Sequence, residues 1–230
     1  APPLRDVKQW CDILILHLNV KGCRASSEPS GDRLSLSIGR KFDQPLADAH
    51  QIDFLYEVMA VEPDYLAIQL TAPEGPLGTT GYLIALQAAP IDAERSFIHL
   101  SYAYEYGTAA RLAMQGYLAT AGRNKVGFTI TGRTDDGRPI YIGGMRGVVE
   151  RNTMRYYLAI EAFLDALSAP PQQRLETRLR NWFSAAERYP RQLHEMEQDA
   201  YLDMKRKENL RQRSASSRAT APALPGGGSL

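Results

Sequence analysis

Val7, Trp10, Cys11, Leu14 and Leu18 fall at helical spacing and predict a helix over residues 4–18 with one apolar face. Asp6 stands in its opening turn, where a carboxylate suits the positive end of the helix dipole. The period then shortens to two. Leu34, Leu36 and Ile38 alternate with Ser35 and Ser37, the pattern of a half-buried strand over residues 33–38. Further strand patterns cover residues 53–61, 65–71, 82–88 and 96–106. Glu62-Pro63-Asp64, the run from Pro73 to Gly78, and Pro90-Ile91-Asp92 separate them. Connections this short favour consecutive antiparallel pairing, a meander, over parallel crossovers.

Helical spacing returns at residues 107–121 through Ala109, Leu112, Ala113, Gly116 and Tyr117, with Thr108 available as a cap. Residues 125–133 and 138–143 read as two short strands, joined by a turn whose Asp136-Gly137 pair suits positive φ. The strongest helical pattern spans residues 149–167. Thr153, Tyr156, Tyr157, Ile160, Leu164 and Leu167 form its apolar stripe, with Arg151, Arg155 and Asp165 off it. Ser168-Ala169-Pro170-Pro171 ends it. Residues 174–213 hold ten basic and seven acidic side chains, with a stripe of Leu175, Leu179, Trp182 and Phe183. After Pro190 a second helix is expected from residue 191 to about 211, burying Leu193, Met196, Ala200 and Met204. The small, polar, Pro- and Gly-rich residues 214–230 lack the apolar area to offset ordering and read as a disordered tail. The expected organisation is a core domain over residues 1–168, a charged helical extension over 169–213 and that tail.

Charge narrows the partners. With 27 basic and 26 acidic residues the net charge is +1, which gives no electrostatic reason to expect nucleic acid. No apolar run reaches the roughly 18 residues that a membrane-spanning helix needs. Phosphate-loop, dinucleotide, zincin and nucleophile-elbow motifs are absent, and no cofactor is implied. His17, His50, His99 and His194 stand singly, so no histidine-rich metal site is expected. Cys11 and Cys23 allow either one disulfide in an oxidising compartment or two buried thiols. The start Ala1-Pro2-Pro3 fits either a trimmed chain or a mature form whose signal peptide is gone, and the second option implies the periplasm.

The Trp10 helix, the meander from Leu34 to Tyr106 and the helix at 149–167 resemble the START-like (helix-grip) superfamily of lipid-transfer domains, polyketide cyclases and pollen-allergen-like carriers. The resemblance covers residues 4–167 and is one of pattern. It implies an α+β fold in which a curved antiparallel sheet grips the long helix around an apolar cavity. An inserted helix plus hairpin and the C-terminal helical extension are additions, and the strand that normally precedes the first helix is missing. Binding and transport of a lipid, sterol or polyprenoid is the function this implies. A cyclase or aromatase using the same pocket is the alternative.

The residues themselves add candidates. In 97–106, alternation puts Ile98, Leu100, Tyr102, Tyr104 and Tyr106 on one face and Phe97, His99, Ser101 and Glu105 on the other. The three tyrosines make a wall with an apolar body and hydroxylated tips, suited to an amphipathic ligand; aromatic residues are also simply good strand formers. The expected ligand contacts are Tyr102, Tyr104, Tyr106, His99, Tyr82, Phe54, Tyr56, Met114, Tyr117, Met154 and Tyr157, with Arg155 as polar anchor. Beside Glu57 and Glu105, His99 is the one candidate acid/base for a cyclase. Arg151 and Arg155, one turn apart, suit an anionic headgroup or a solvated face. Lys205, Arg206, Lys207, Arg211 and Arg213 are the only basic cluster, suited to an anionic membrane surface within residues 174–213 or, the favoured reading, to the solvated face of a terminal helix whose Trp182 and Phe183 side docks on the domain. An exposed Trp182/Phe183 face would make that segment a non-catalytic protein-interaction module instead.

Overall fold

The computed structural model describes residues 2–92, 95–120 and 122–220. The fold is α+β. After a 3-10 turn, α1 (Val7–Leu14) leads into β1 (Val20–Glu28), β2 (Gly31–Ile38), β3 (His50–Glu62), β4 (Tyr65–Glu74), β5 (Thr79–Pro90) and β6 (Ser96–Tyr106). These six strands pair antiparallel in chain order, the meander expected for β2 to β6 with β1 added at its edge. Next come α2 (Thr108–Ala119), a hairpin of β7 (Ile130–Arg133) and β8 (Pro139–Tyr141), and α3 (Gly144–Asp165). Three further helices follow: α4 (Arg174–Glu187), α5 (Pro190–Leu193) and α6 (Gln198–Thr220). Asp6 caps α1 by accepting the Lys8 N–H at 2.9 Å, whereas α2 starts from Gly107 without a side-chain cap, so Thr108 does not serve as one.

One sheet face is lined mainly by large apolar and aromatic side chains. Tyr56 pairs with Leu70, Leu70 with Ile84, and Ile84 with Tyr102, so a single row of large side chains crosses four strands. The opposite face carries Asp53, Glu57 and His99, all exposed. Helix α1 covers β1 and β2, and α3 packs on β6, α1 and α4. Trp182 of α4 is buried, its ring stacked on Tyr201 of α6 at 4.9 Å and its Nε1–H donated to the Arg155 carbonyl at 3.1 Å. Leu179, Trp182, Ala186, Leu193, Tyr201 and Met204 belong to the same core as the sheet. The Trp182/Phe183 side is therefore turned inward and offers no open apolar face.

Three sequence expectations change here. On α3 Ile160 is buried as expected, but so are Arg151 and Arg155, while Thr153, Tyr156, Tyr157, Leu164 and, just past the helix, Leu167 are half-buried. The stripe is rotated because α4 covers a second side of the helix. The C-terminal basic cluster is not an open patch either. Lys205 is buried, Arg206 pairs with Glu176 at 2.7 Å, and Arg211 pairs with Asp43 at 2.9 Å. Helix α6 also runs to Thr220, so the first seven residues of the expected tail are helical, and residues 221–230 lie outside the described ones.

β1 escaped the pattern reading because its alternation is masked. Lys21 is as buried as Val20 and Cys23, since it reaches Glu208 of α6 at 2.9 Å. The preceding loop is itself buried, and a buried loop must find donors for its carbonyls. Tyr201 donates to the Leu16 carbonyl (3.0 Å), Lys205 to those of His17 (2.7 Å) and Val20 (3.0 Å), and Lys21 to that of Leu18 (2.9 Å). α6 thus holds the loop that carries His17.

Cys11 and Cys23, twelve positions apart in sequence, form a disulfide with Cα atoms 5.2 Å apart. It ties α1 to β1 across that loop. Closing so short a loop restricts the unfolded chain by about 2–3 kcal/mol. Cys11→Ser/Cys23→Ser is expected to lose that much in urea denaturation, and the wild type is expected to match the variant once fully reduced.

Candidate functional site

A cavity of about 370 Å³ lies between the apolar sheet face, α2 and α3. Leu36, Ile38, Ile52, Phe54, Tyr82, Ile84 and Tyr102 form its sheet wall. Met114 and Tyr117 of α2, with Pro76 and Leu77, form the rim. His17, Asn19, Lys41, Arg151, Asn152, Arg155 and Tyr156 gather at the other end. One end is apolar and the other polar and cationic.

Local backbone choices shape the walls. A side chain at Gly75 would sit 2.5 Å from the Tyr82 ring, so glycine admits that ring to the wall. A carbon added at Gly122 would overlap Tyr117 in the same way. At the rim, Leu77 holds a left-handed backbone (φ 58°), a conformation that costs a non-glycine residue about 1–2 kcal/mol. Tyr82 stacks on Tyr104 (5.3 Å) and meets Phe54 edge-on (6.1 Å). Tyr102 meets Tyr156 edge-on (5.8 Å), and Tyr156 stacks on His17 (4.6 Å). Burial pushes the Tyr82, Tyr102, Tyr104 and Tyr156 phenols up, so they stay protonated donors.

The polar end centres on Glu195, between α5 and α6. Its carboxylate meets Lys41 at 2.6 Å, Arg155 at 2.7 Å and Lys125 at 3.3 Å. Burial alone would raise this carboxyl, but Lys41, Arg155 and Lys125 outweigh it and hold it below the usual 4.5. Arg151 lies one turn before Arg155, bonds the Val126 carbonyl at 3.3 Å and has the Tyr117 hydroxyl beside it. His17 accepts the Asn19 N–H on Nδ1 at 3.1 Å, which places the ring proton on Nε2 in the neutral form. Burial and the charges of Arg155, Lys205 and Lys41 push His17 well below 6.5, so it is neutral at pH 7.

Of the expected contacts, Phe54, Tyr82, Tyr102, Met114, Tyr117 and Arg155 line the cavity. The others do not. Tyr104 stands behind Tyr82, and Tyr106 is at the strand end under the Arg111 guanidinium. Tyr56 is a core residue that donates its hydroxyl to the Leu4 carbonyl at 2.8 Å, its pKa raised by burial to about 12. Met154 and Tyr157 pack on the core away from the cavity. His99 is on the outer sheet face, exposed and 3.2 Å from Gln87, because alternation carries it away from Tyr102. Glu57 and Glu105 are exposed as well, so no acid/base group of the cyclase reading reaches the cavity. Reading the sequence missed His17, Asn19, Lys41 and Glu195. Only the Arg151/Arg155 pair, two cations inside a long helix, signalled the polar end.

No group of three or more His, Cys, Asp or Glu side chains suits a metal among the described residues, and no described helix is long and apolar enough to cross a membrane. No family model matches this chain, and no curated protein or solved structure matches it. The site therefore has to be read from its own geometry.

Proposed function

We propose that the chain binds and carries a hydrophobic small molecule in the cavity between the sheet and α3, in the manner of START-like helix-grip domains. The observation that carries this reading is the unbroken apolar wall from Leu36 to Tyr102 facing a cavity of about 370 Å³. That volume is near the low end of ligand sites, roughly 300–1,000 Å³, which favours one chain or a few fused rings over a two-chain lipid. Binding would draw on buried apolar area at about 25 cal/mol per Å² before ordering costs. The Cys11–Cys23 disulfide supports an oxidising compartment, and we assign the carrier to the bacterial periplasm.

Fluorescence titration with the neutral lipophilic dye N-phenyl-1-naphthylamine tests this. The wild type is expected to give saturable, blue-shifted emission at one dye per chain. Val148→Trp, which puts an indole at the α3 wall of the cavity, is expected to abolish it with the circular dichroism spectrum retained. Absence of saturable binding by the wild type, together with no lipophile in an organic extract of the purified protein, would overturn the reading.

A further inference from the structure

We propose that the cavity ligand carries an oxyanion, a carboxylate or phosphate group, which docks on His17, Arg151 and Arg155 at the cavity's polar end. The proposal rests on the cavity being a ligand site and goes on to name what the ligand must bear.

Unsatisfied donors are its first support. Buried polar groups are almost always hydrogen-bonded, and each exception needs a cause. Among the described residues, four buried side-chain nitrogens make no hydrogen bond of normal geometry: His17 Nε2, which has only the Asn152 amide beside it, Arg151 Nε, Arg155 Nε and Arg178 Nε. The first three belong to residues that line this one cavity. They come from separate parts of the chain, the loop after α1 and two successive turns of α3. All three side chains are at most 2% exposed. The fourth is remote from the cavity, on a guanidinium that pairs with Asp12 at 2.7 Å and covers the Phe163 ring at 4.5 Å. A neutral imidazole holding its proton on Nε2 and two guanidinium groups offer donors only. What completes them is an acceptor.

Charge says the acceptor is anionic. Lys41, Lys125, Arg151 and Arg155 gather here, and Glu195 is the carboxylate that answers them. Arg155 spends one nitrogen on Glu195 (2.7 Å) and the Leu193 carbonyl (3.4 Å) and another on Asn152 (3.4 Å). Arg151 makes only its 3.3 Å bond to Val126 besides the Tyr117 contact. Two of these cations, Arg151 and Arg155, are buried, and gathering them with two half-buried lysines around one carboxylate is unfavourable unless a further anion arrives. An oxyanion has the lone pairs for two guanidinium groups and one imidazole N–H, and the planar guanidinium fork matches both carboxylate and phosphate. The apolar wall beyond takes its hydrocarbon body.

Displacement of N-phenyl-1-naphthylamine by decanoate, decyl phosphate and decan-1-ol tests this at equal chain length. At least one anion is expected to displace the dye at about tenfold lower concentration than the alcohol, since hydrogen bonds to charged groups are the strong ones. The stronger of the two anions identifies the headgroup. In Arg151→Gln that preference is expected to shrink toward unity, and Arg151→Lys, which keeps the charge, is expected to restore part of it. Equal displacement by all three compounds in the wild type would overturn the oxyanion and leave the cavity reading standing. Failure of the dye itself to bind would overturn the cavity reading instead.

Discussion

Glu208→Gln is expected to lower the stability of the fold by about 3–5 kcal/mol, a drop in Tm on the order of 10 °C for a chain of this size. The Glu208 carboxylate is fully buried and is shared by two buried ammonium groups, Lys21 at 2.9 Å and Lys205 at 2.8 Å. The amide keeps an acceptor but removes the only charge that this trio sets against two cations. Replacing all three residues by apolar ones, as Lys21→Met/Glu208→Leu/Lys205→Met, is often neutral for a buried ion cluster. Here it is expected to remain destabilising, because the same ammonium groups satisfy the buried carbonyls of His17, Leu18 and Val20. The deficit also has a pH signature. Burial pulls Lys205 down from 10.5 to about 8, against the opposing attraction of Glu208. Between those two values the unfolded chain binds more protons than the native one, so wild-type stability rises with pH across that window. Without Glu208 the native lysine gives up its proton at lower pH, and the rise begins earlier. Urea denaturation at about pH 6, 7.5 and 9 is expected to show the gap between wild type and Glu208→Gln narrowing as pH increases. A gap that stays constant would mean the carboxylate acts through packing alone.

How much of this was legible in the sequence depends on whether one partner could be read without the other. β6 was readable from its own alternation, which put Tyr102 and His99 on opposite faces; only the assignment of His99 to the ligand contradicted that same rule. The meander from β3 to β6 was readable because its connections are short, two residues after β3, four after β4 and five after β5, and a strand that returns so soon has one practical partner. β1 stayed hidden because the residue that buries its polar face, Glu208, is 187 positions away from Lys21. The same applies at the cavity. Arg155 was legible as a polar anchor, but its resident partners, Glu195 and the Leu193 carbonyl, were not, because they are brought under it by α4 and α5 from about forty positions away. His17 becomes a site residue only because α6 pins its loop through Lys205. Pattern reading recovers which face a side chain is on, and loses what a distant segment later lays over it.

Glu195→Gln is expected to separate stability from ligand affinity, moving them in opposite directions. The carboxylate touches three cations, of which Arg155 is buried while Lys41 and Lys125 keep about a quarter of their side chains in water. Solvent screens the two lysines, so the loss is set mainly by Arg155 and is expected to be about 2–4 kcal/mol. The acid limb identifies the cause. Because the folded carboxyl titrates below 4.5, its contribution is present above that value and is lost as pH falls through the folded pKa. The variant's stability is therefore expected to fall less steeply than the wild type's in acid. Removing the resident anion also leaves Arg151, Arg155, Lys41 and Lys125 with no carboxylate of this site to share. An anionic ligand then supplies the negative charge that Glu195 gave them. At equal concentration, decanoate is expected to raise the Tm of Glu195→Gln by more than it raises that of the wild type, because a tighter ligand stabilises the native state further. Decan-1-ol, with no charge to offer, is expected to shift both proteins alike. If decanoate rescued the variant no better than the alcohol, the cations would serve to hold the chain around Glu195 against α3, and the head of the ligand would play no part in neutralising them.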